Sequence, residues 1–308
     1  MILCCGEALI DMLPCTSDAG QVAFAPACGG AVFNTAIALG RLGAPASMLT
    51  GLSTDLFGKL LTEELRASNV DTSHVITSDR PSTLAFVTLN NGQASYSFFD
   101  ENSAGRMLSP QDLPAISSDV TALYFSCISL VCEPAADTYA ALAQSEGQGR
   151  VVMLDPNIRQ GFITNEARYR ERLGKMIALA DIVKVSDEDL EWINPSENAL
   201  SDKAKALLDQ GPSLVIVTRG AEGAEAHMQG SVKVDVPAQK AQVVDTVGAG
   251  DTFNGGVLAA LSASGVLDKA SVRTLPTATI EHALTFAAKV ASVTVSRAGA
   301  NPPWADEL

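Results

Sequence analysis

The chain has 308 residues, of which 47% are hydrophobic and 18% are charged, so it can bury the core of a large domain. Its 35 acidic and 21 basic side chains give a formal net charge of −14. Because a surface this acidic repels phosphate backbones and anionic lipid heads, we expect neither a nucleic acid nor a membrane as partner.

Short apolar runs alternate with amphipathic stretches along the chain. The runs predict strands that are buried on both faces, at 2–5, 46–49, 122–125, 151–154, 182–185 and 214–217. The amphipathic stretches predict helices at 31–42, 57–65, 135–142, 166–179 and 199–208. This alternation predicts an α/β fold: a doubly wound, mostly parallel sheet flanked by helices.

Two stretches interrupt this alternation. Residues 11–27 show no helical period, and residues 84–99 alternate apolar and polar side chains around Asn91-Gly92, a strong hairpin signal. Because an isolated hairpin is marginal in water, we expect approximately 11–27 and 84–105 to form a small β-sheet beside the main one, acting as a lid or a dimer contact. A long surface excursion is the alternative. No linker divides the chain, so residues 1–308 are predicted to form a single domain.

The six cysteines show no Cys-x-x-Cys spacing and have no histidine at metal-binding spacing. The N-terminus lacks the basic residues and the long apolar run of a signal peptide. The apolar stretches are also shorter than the roughly 18 residues that span a bilayer. We therefore expect a protein of the reducing cytoplasm.

The segment 245–253 carries the strongest chemical signal. Gly248, Ala249 and Gly250 let a ligand approach the backbone closely, and a helix begins near them. Free amides and the helix dipole make an anion site there. Asp251 would then serve as a base that faces an acceptor hydroxyl, next to an arriving phosphoryl group. A capped helix start without a ligand has the same pattern.

Other polar residues follow predicted strands or precede helices. Gly29, Gly30 and Asn34 open a helix, and their exposed backbone and amide suit a polyhydroxylated ligand. A tight turn with Asn34 as a local cap is the alternative.

Ligands of open α/β sheets bind beyond the carboxyl ends of strands. Asp11 lies just past the first strand, and Arg159 follows the strand at 151–154. Asp11 can accept hydrogen bonds from sugar hydroxyls, and Arg159 can meet phosphate oxygens. A surface ion pair is the other interpretation of Arg159.

Two further strand ends suit a nucleotide and its metal. Thr218, Gly220 and Gly223 form a glycine-containing turn that offers a hydroxyl and backbone groups. The carboxylates at 187–189 follow Ser186 and could hold Mg²⁺ through waters. An acidic helix start with Ser186 as N-cap explains them equally well.

Taken together, these motifs resemble the ribokinase-like (PfkB) carbohydrate kinase family over essentially the full chain. The segments 6–11 and 184–186 are most similar to bacterial fructokinases. The resemblance implies transfer from ATP to D-fructose, giving fructose 6-phosphate and ADP, with Mg²⁺ and an activating K⁺ near Asp245 and the C-terminal loop. It also implies a β-lid that often forms a homodimer interface.

The resemblance also assigns roles to residues. It implies that Asp251 is the base, that the amides of 248–250 form the anion site, and that Asp11, Gly29, Gly30, Asn34 and Arg159 bind the sugar. It implies further that Ser186, Thr218, Gly220 and Gly223 contact the nucleotide.

The chain departs from the family pattern at three places. Asp189 replaces a longer Glu near the metal, and Ala288 replaces an Asn beside the adenine. Asp100 and Glu101 stand in the lid where relatives that handle phosphorylated sugars have Lys or Arg, which favours a neutral acceptor. The alternatives are a 2-keto-3-deoxygluconate kinase or another PfkB-type sugar kinase, and a sugar-binding regulator without activity.

Overall fold

The computed structural model describes residues 1–90 and 93–308. In chain order its strands are β1 (Ile2–Cys5), β2 (Leu9–Thr16), β3 (Val22–Gly29), β4 (Ala46–Leu49), β5 (Gly51–Ser53), β6 (Ile76–Ser78), β7 (Leu84–Asn90), β8 (Gln93–Phe99), β9 (Ala122–Ser126), β10 (Val151–Asp155), β11 (Ile182–Ser186), β12 (Leu214–Thr218), β13 (Ala224–Met228) and β14 (Val232–Val236). Its helices are α1 (Ala31–Arg41), α2 (Leu56–Ala67), α3 (Ala135–Glu146), α4 (Glu166–Leu179), α5 (Asp187–Ile193), α6 (Leu200–Leu208), α7 (Ala249–Ala263), α8 (Lys269–Val272) and α9 (Thr277–Val295).

The main sheet has eight strands in the order β14-β13-β12-β11-β10-β9-β1-β4. The six from β12 to β4 are parallel, whereas β13 and β14 add an antiparallel edge. The parallel strands therefore end at one common edge, where the loops carrying the predicted site residues converge.

Helices cover both faces of this sheet. One apolar core joins it to α1, α2, α7 and α9, and a second joins the opposite face to α3, α4, α5 and α6. All six predicted strands are present, each with at most one further residue. Their runs are apolar because both faces are buried. The predicted fold class is confirmed.

A second sheet, in the order β3-β2-β7-β8, stands beside the main one. Its strands come from the two stretches that lacked helical period, although β2 begins at Leu9, two residues earlier than predicted. Strands β2 and β7 run parallel, so the two predicted stretches join into one layer. The predicted turn at Asn91-Gly92 lies outside the described residues.

None of the helices within the described part of the chain combines the length and the hydropathy that crossing a bilayer requires.

Candidate functional site

The N-terminus of α7 follows a glycine that the local structure requires. Gly248 precedes it with φ +76°, and a Cβ at this position would lie 2.5 Å from the Cβ of Ala300, so only glycine fits. The first amides of a helix have no partner within the helix. The amide of Ala249 still donates to the carbonyl of Thr246 at 3.3 Å. Gly250 and Asp251 therefore offer more available amides than Ala249 does.

Asp251 lies in the first turn of α7 and is 8% exposed. Its Oδ2 accepts a hydrogen bond from Asn34 Nδ2 at 2.9 Å, and Thr35 Oγ1 donates to its carbonyl at 3.0 Å. Burial raises the pKa of Asp251 to about 6, while the Asn34 hydrogen bond opposes the rise. The carboxylate is thus oriented by a neutral amide rather than by an ion pair.

A cavity of about 1040 Å³ opens above Asp251, between the main sheet and the small one. It brings together Asp11, Gly30, Arg159 and the segment 246–251 with Tyr96 and Phe98 of β8. Burial raises the pKa of Asp11 to about 6. The cavity is large enough for a monosaccharide and offers both hydrogen-bonding groups and aromatic faces.

A second cavity, of about 580 Å³, lies on the other side of the α7 N-terminus. Thr218, Gly220, Gly223 and Ala288 line it. Thr246, Ala249 and Gly250 line both cavities. Two separate ligands could therefore approach the same helix N-terminus from opposite sides.

Steric contacts explain why glycine stands at both positions before α1. A Cβ on Gly29 would lie 2.3 Å from Asp11 Oδ2, so Gly29 makes room for that carboxylate and does not itself line the cavity that the described residues enclose. Gly30 has φ +111°, and a Cβ there would meet the Glu7 carbonyl at 2.9 Å. Asn34, expected to contact a sugar, directs its amide at Asp251 and does not line the cavity as the described residues define it.

Ser186 and Asp189 are engaged in the local structure of α5. Ser186 Oγ accepts from the Asp189 amide at 3.0 Å, as an N-cap. Asp189 Oδ1 in turn accepts from the Ile158 amide at 2.9 Å. Neither residue lines the two cavities as the described residues define them.

Asp245 connects two loops near the start of α7. Its Oδ1 accepts from the Val247 amide at 3.0 Å, and its Oδ2 accepts from the Gly299 amide at 2.9 Å. The predicted proximity of Asp245 to the C-terminal loop is thus present, since one carboxylate bonds both segments.

An ion pair with Arg106 weakens the charge argument drawn from Asp100 in the lid. Arg106 Nη1 lies 2.8 Å from both oxygens of Asp100 and neutralises it. Arg106 itself lines the large cavity. No local pattern connected these two side chains in advance.

Glu7 is a further residue of the large cavity that the sequence reasoning gave no role. It accepts hydrogen bonds from Ser129 Oγ and, at 2.9 Å, from the Ala31 amide that begins α1. Burial raises the pKa of Glu7 to about 7 despite these donors. Glu7 thereby fixes the start of the helix that carries Asn34.

Asp155 and Lys184 form a buried ion pair to which the sequence reasoning gave no role. Lys184 Nζ lies 3.1 Å from Asp155 Oδ2, and both residues are buried. The available signal was the lysine itself, because a lone lysine inside an apolar strand is almost never buried without a partner.

Comparisons with known proteins agree with this geometry. The family model described as pfkB family carbohydrate kinase matches residues 1–307. A fructokinase of Rhizobium leguminosarum bv. trifolii is 51% identical over 277 residues, 89% of this chain and 84% of the relative. A solved fructokinase from Xylella fastidiosa with bound ATP has a TM-score of 0.88 at 31% identity, covering 97% of this chain and 93% of the other. A Vibrio cholerae O395 fructokinase with fructose, ADP and calcium ion bound has a TM-score of 0.81 at 28% identity, covering 97% and 94%.

Proposed function

The chain belongs to the pfkB family of carbohydrate kinases, and we propose that it transfers the γ-phosphoryl group of ATP to D-fructose, yielding fructose 6-phosphate and ADP. One observation carries this proposal: two cavities meet at the N-terminus of α7, where the Asp251 carboxylate lies. Acceptor and donor can thus be held on opposite sides of one anion site. The fructokinase relatives supply the acceptor's identity.

Asp251 is the proposed base. Its carboxylate accepts the proton of the attacking hydroxyl as the oxygen bonds to the γ-phosphorus, and the bond to the ADP oxygen breaks. Amides of the segment 248–250, with that of Asp251, receive the charge on the transferring group. Asn34 holds the carboxylate in place through its 2.9 Å hydrogen bond.

The large cavity is the proposed acceptor site. In this proposal Asp11 and the backbone of Gly30, which both line the cavity, bind sugar hydroxyls, and Gly29 gives Asp11 its room. Arg159, which also lines the cavity, contacts the phosphoryl group. Beyond the Asp100–Arg106 pair, four carboxylate residues and one arginine line this cavity, which favours an uncharged acceptor.

The smaller cavity is the proposed nucleotide site. Thr218, Gly220 and Gly223 offer it a hydroxyl and backbone groups. Ser186 supports this edge indirectly, through the α5 cap. Ala288 leaves an apolar wall where an amide would have added a polar contact to the base.

Mg²⁺ and K⁺ are proposed as accompanying cations. Mg²⁺ keeps several waters and takes ligands from phosphates, so Asp189, already bonded to the Ile158 amide, fits only through water. Asp245, whose carboxylate bonds both the segment before α7 and the C-terminal loop, is the proposed neighbour of K⁺. When bound, Mg²⁺ neutralises charge on the β- and γ-phosphates.

The small sheet is proposed as a lid over the sugar and as a homodimer interface. Phe24, Phe86 and Phe99 form a row of edge-to-face contacts with centroids 5.0 and 5.5 Å apart. Phe99 is 57% exposed, and a second copy would cover it.

The free state of all six cysteines agrees with the proposed cytoplasmic location.

A second candidate acceptor is a sugar acid such as 2-keto-3-deoxygluconate. Arg159 lines the large cavity outside the Asp100–Arg106 pair, so a carboxylate on the acceptor would find a guanidinium there. This candidate is weaker because carboxylates outnumber arginines around the same space.

An acceptor screen tests the proposal. With ATP and Mg²⁺, initial rates are measured on fructose, ribose, 2-keto-3-deoxygluconate and adenosine, and we expect the highest kcat/KM for fructose. Strong turnover of another acceptor without activity on fructose would disprove the substrate assignment. A protein that binds fructose but transfers to none of them would be a silent sugar-binding regulator.

A further inference from the structure

A row of polar groups lies beneath the start of α7, inside an otherwise apolar layer. Asp155 ends β10 in register with Ser126 of β9, and Lys184 of β11 reaches Asp155 Oδ2 at 3.1 Å. Asn254, one turn into α7, donates to the same oxygen at 2.7 Å. Asn254 also donates to the Tyr124 hydroxyl of β9 at 2.9 Å, so the row ties three sheet strands to the helix that carries Asp251.

This ion pair is costly to bury. Asp155 is 0% and Lys184 is 4% exposed, and burial raises the pKa of Asp155, against the opposing effect of the Lys184 ammonium. Within the part of the chain that the structure describes, Asp155 Oδ1 has no hydrogen-bond partner. Because buried pairs commonly add little stability compared with apolar side chains of similar volume, the retained charges need another explanation.

The ammonium lies directly behind the anion site. A Cβ on Gly250 would be 3.4 Å from Lys184 Nζ, which is an ordinary contact. Gly250 lies outside the positive-φ region, so its backbone conformation does not require glycine. The missing side chain instead leaves the peptide of Gly250 as a thin layer between the Lys184 ammonium and the two cavities.

We propose that Lys184 is a positioning residue for phosphoryl transfer: its ammonium, held by Asp155 and backed by Asn254, adds a fixed positive field behind the amides at the α7 N-terminus. This field stabilises negative charge as it builds on the transferring group, because a preorganised charge in a dry site needs no reorganisation during the reaction. The inference rests on the proposed kinase function.

The test compares wild type with Lys184→Met and with the double variant Lys184→Met/Asp155→Asn, which leaves no unpaired buried charge. For each, the melting temperature, kcat on fructose, and affinities for ADP and for ADP–aluminium fluoride with fructose are measured. We expect folded protein, ADP affinity within about twofold of wild type, and a kcat lower by about 10²-fold. Affinity for the transition-state mimic should fall in parallel with kcat, because only that complex carries the extra charge.

Lys203→Met is the matched control. Lys203 is equally buried, at 5% exposed, and pairs with Glu191, but it lies on α6 away from both cavities. Its loss should leave kcat and both affinities unchanged.

Three results would overturn the inference while leaving the kinase function intact. They are an unchanged kcat in a folded Lys184 variant, an equal loss of ADP and mimic affinity, and loss of fold in both variants, which would assign the pair to stability alone. Wild-type protein that transfers phosphate from ATP to no acceptor would instead overturn the proposed function together with this inference.

Discussion

Asp251 works as a base only if it is ionised at the pH of the reaction. The groups around it shift its pKa in opposite directions. Burial raises its pKa to about 6, with Asp155 adding to the rise, whereas Asn34, Lys184 and Arg159 oppose it. The carboxylate therefore remains mostly ionised at neutral pH and is a better proton acceptor than an exposed aspartate would be.

The pH profile of kcat should report this balance. Since the carboxylate is the active form, kcat should fall as the pH drops through about 6. Asn34→Ala removes a hydrogen bond to the ionised form, so the acidic limb should move to higher pH. Thr35→Val is the control and should leave the midpoint in place, because the lost hydrogen bonds go to the Asp251 and Ala31 carbonyls and the Tyr124 hydroxyl, and none goes to the Asp251 carboxylate. An acidic limb that Asn34→Ala does not shift would contradict the assigned orientation.

Site residues could be predicted where they belong to a recognisable sequence motif. The side-chain contacts between them could not be predicted. Asp251 and its glycines stand together in the sequence, but the Asn34 to Asp251 hydrogen bond joins residues 217 positions apart. The Asp100 to Arg106 pair was missed for a different reason. The two residues are only six positions apart, but the irregular loop that joins them has no period from which a side-chain contact can be predicted.

At the scale of elements, two glycines lie at the start of α7, and glycine stands at these two positions for different physical reasons. Gly248 needs positive φ and lacks space for a side chain, because Ala300 lies against it. Gly250 has ordinary backbone angles, and an added Cβ would find room. Only Gly248 is therefore required by the fold.

Alanine substitutions should separate these reasons. Gly248→Ala should lower the free energy of unfolding by about 1–3 kcal/mol, through backbone strain. Gly250→Ala should leave it unchanged or raise it by up to about 1 kcal/mol, since alanine favours helix. Both should reduce kcat by about 10²-fold: Gly248→Ala because strain shifts the anion site, and Gly250→Ala because its methyl group contacts the Lys184 ammonium behind that site. Urea unfolding and initial rates check this, and a fully active Gly250→Ala would argue against a role for the space between Gly250 and Lys184.

A strand or helix could be predicted where its pattern of apolar and polar residues differed clearly from that of the neighbouring loops. The six buried parallel strands were found because uninterrupted apolar runs ended in polar loops. The edge strands β13 and β14 carry four polar side chains that satisfy one another and hide the strand pattern: Lys233 pairs with Glu225 and Asp235, and His227 hydrogen-bonds to Glu225. Helix α9 was also not predicted, because its many Thr and Val residues weaken the helical signal.

At the scale of the whole molecule, the small sheet has two different faces. Tyr96 and Phe98 face the large cavity, while Phe24, Phe86 and Phe99 form the aromatic row on the other side. Phe98 also contacts Phe162 of the body with centroids 4.4 Å apart. A lid and a subunit interface can thus share one layer.

The proposed homodimer predicts a clear effect at this row. Phe99→Ser should shift the protein from dimer to monomer in sedimentation equilibrium, because Phe99 is 57% exposed in the single chain and anchors the end of the row. Leu56→Ser is the control, since Leu56 is 69% exposed but belongs to α2. A wild-type protein that is monomeric throughout the concentration range would rule out the lid-mediated dimer.

The most direct test of the account is the turnover of Asp251→Asn. The substitution keeps the size of the side chain and its proximity to Asn34 but removes the proton acceptor. We predict that kcat on fructose falls by about 10²–10⁴-fold, while fructose affinity, measured by calorimetry, stays within about threefold of wild type because the sugar-binding groups remain. Equal rates for the variant and wild type would contradict the assignment of Asp251 as the base.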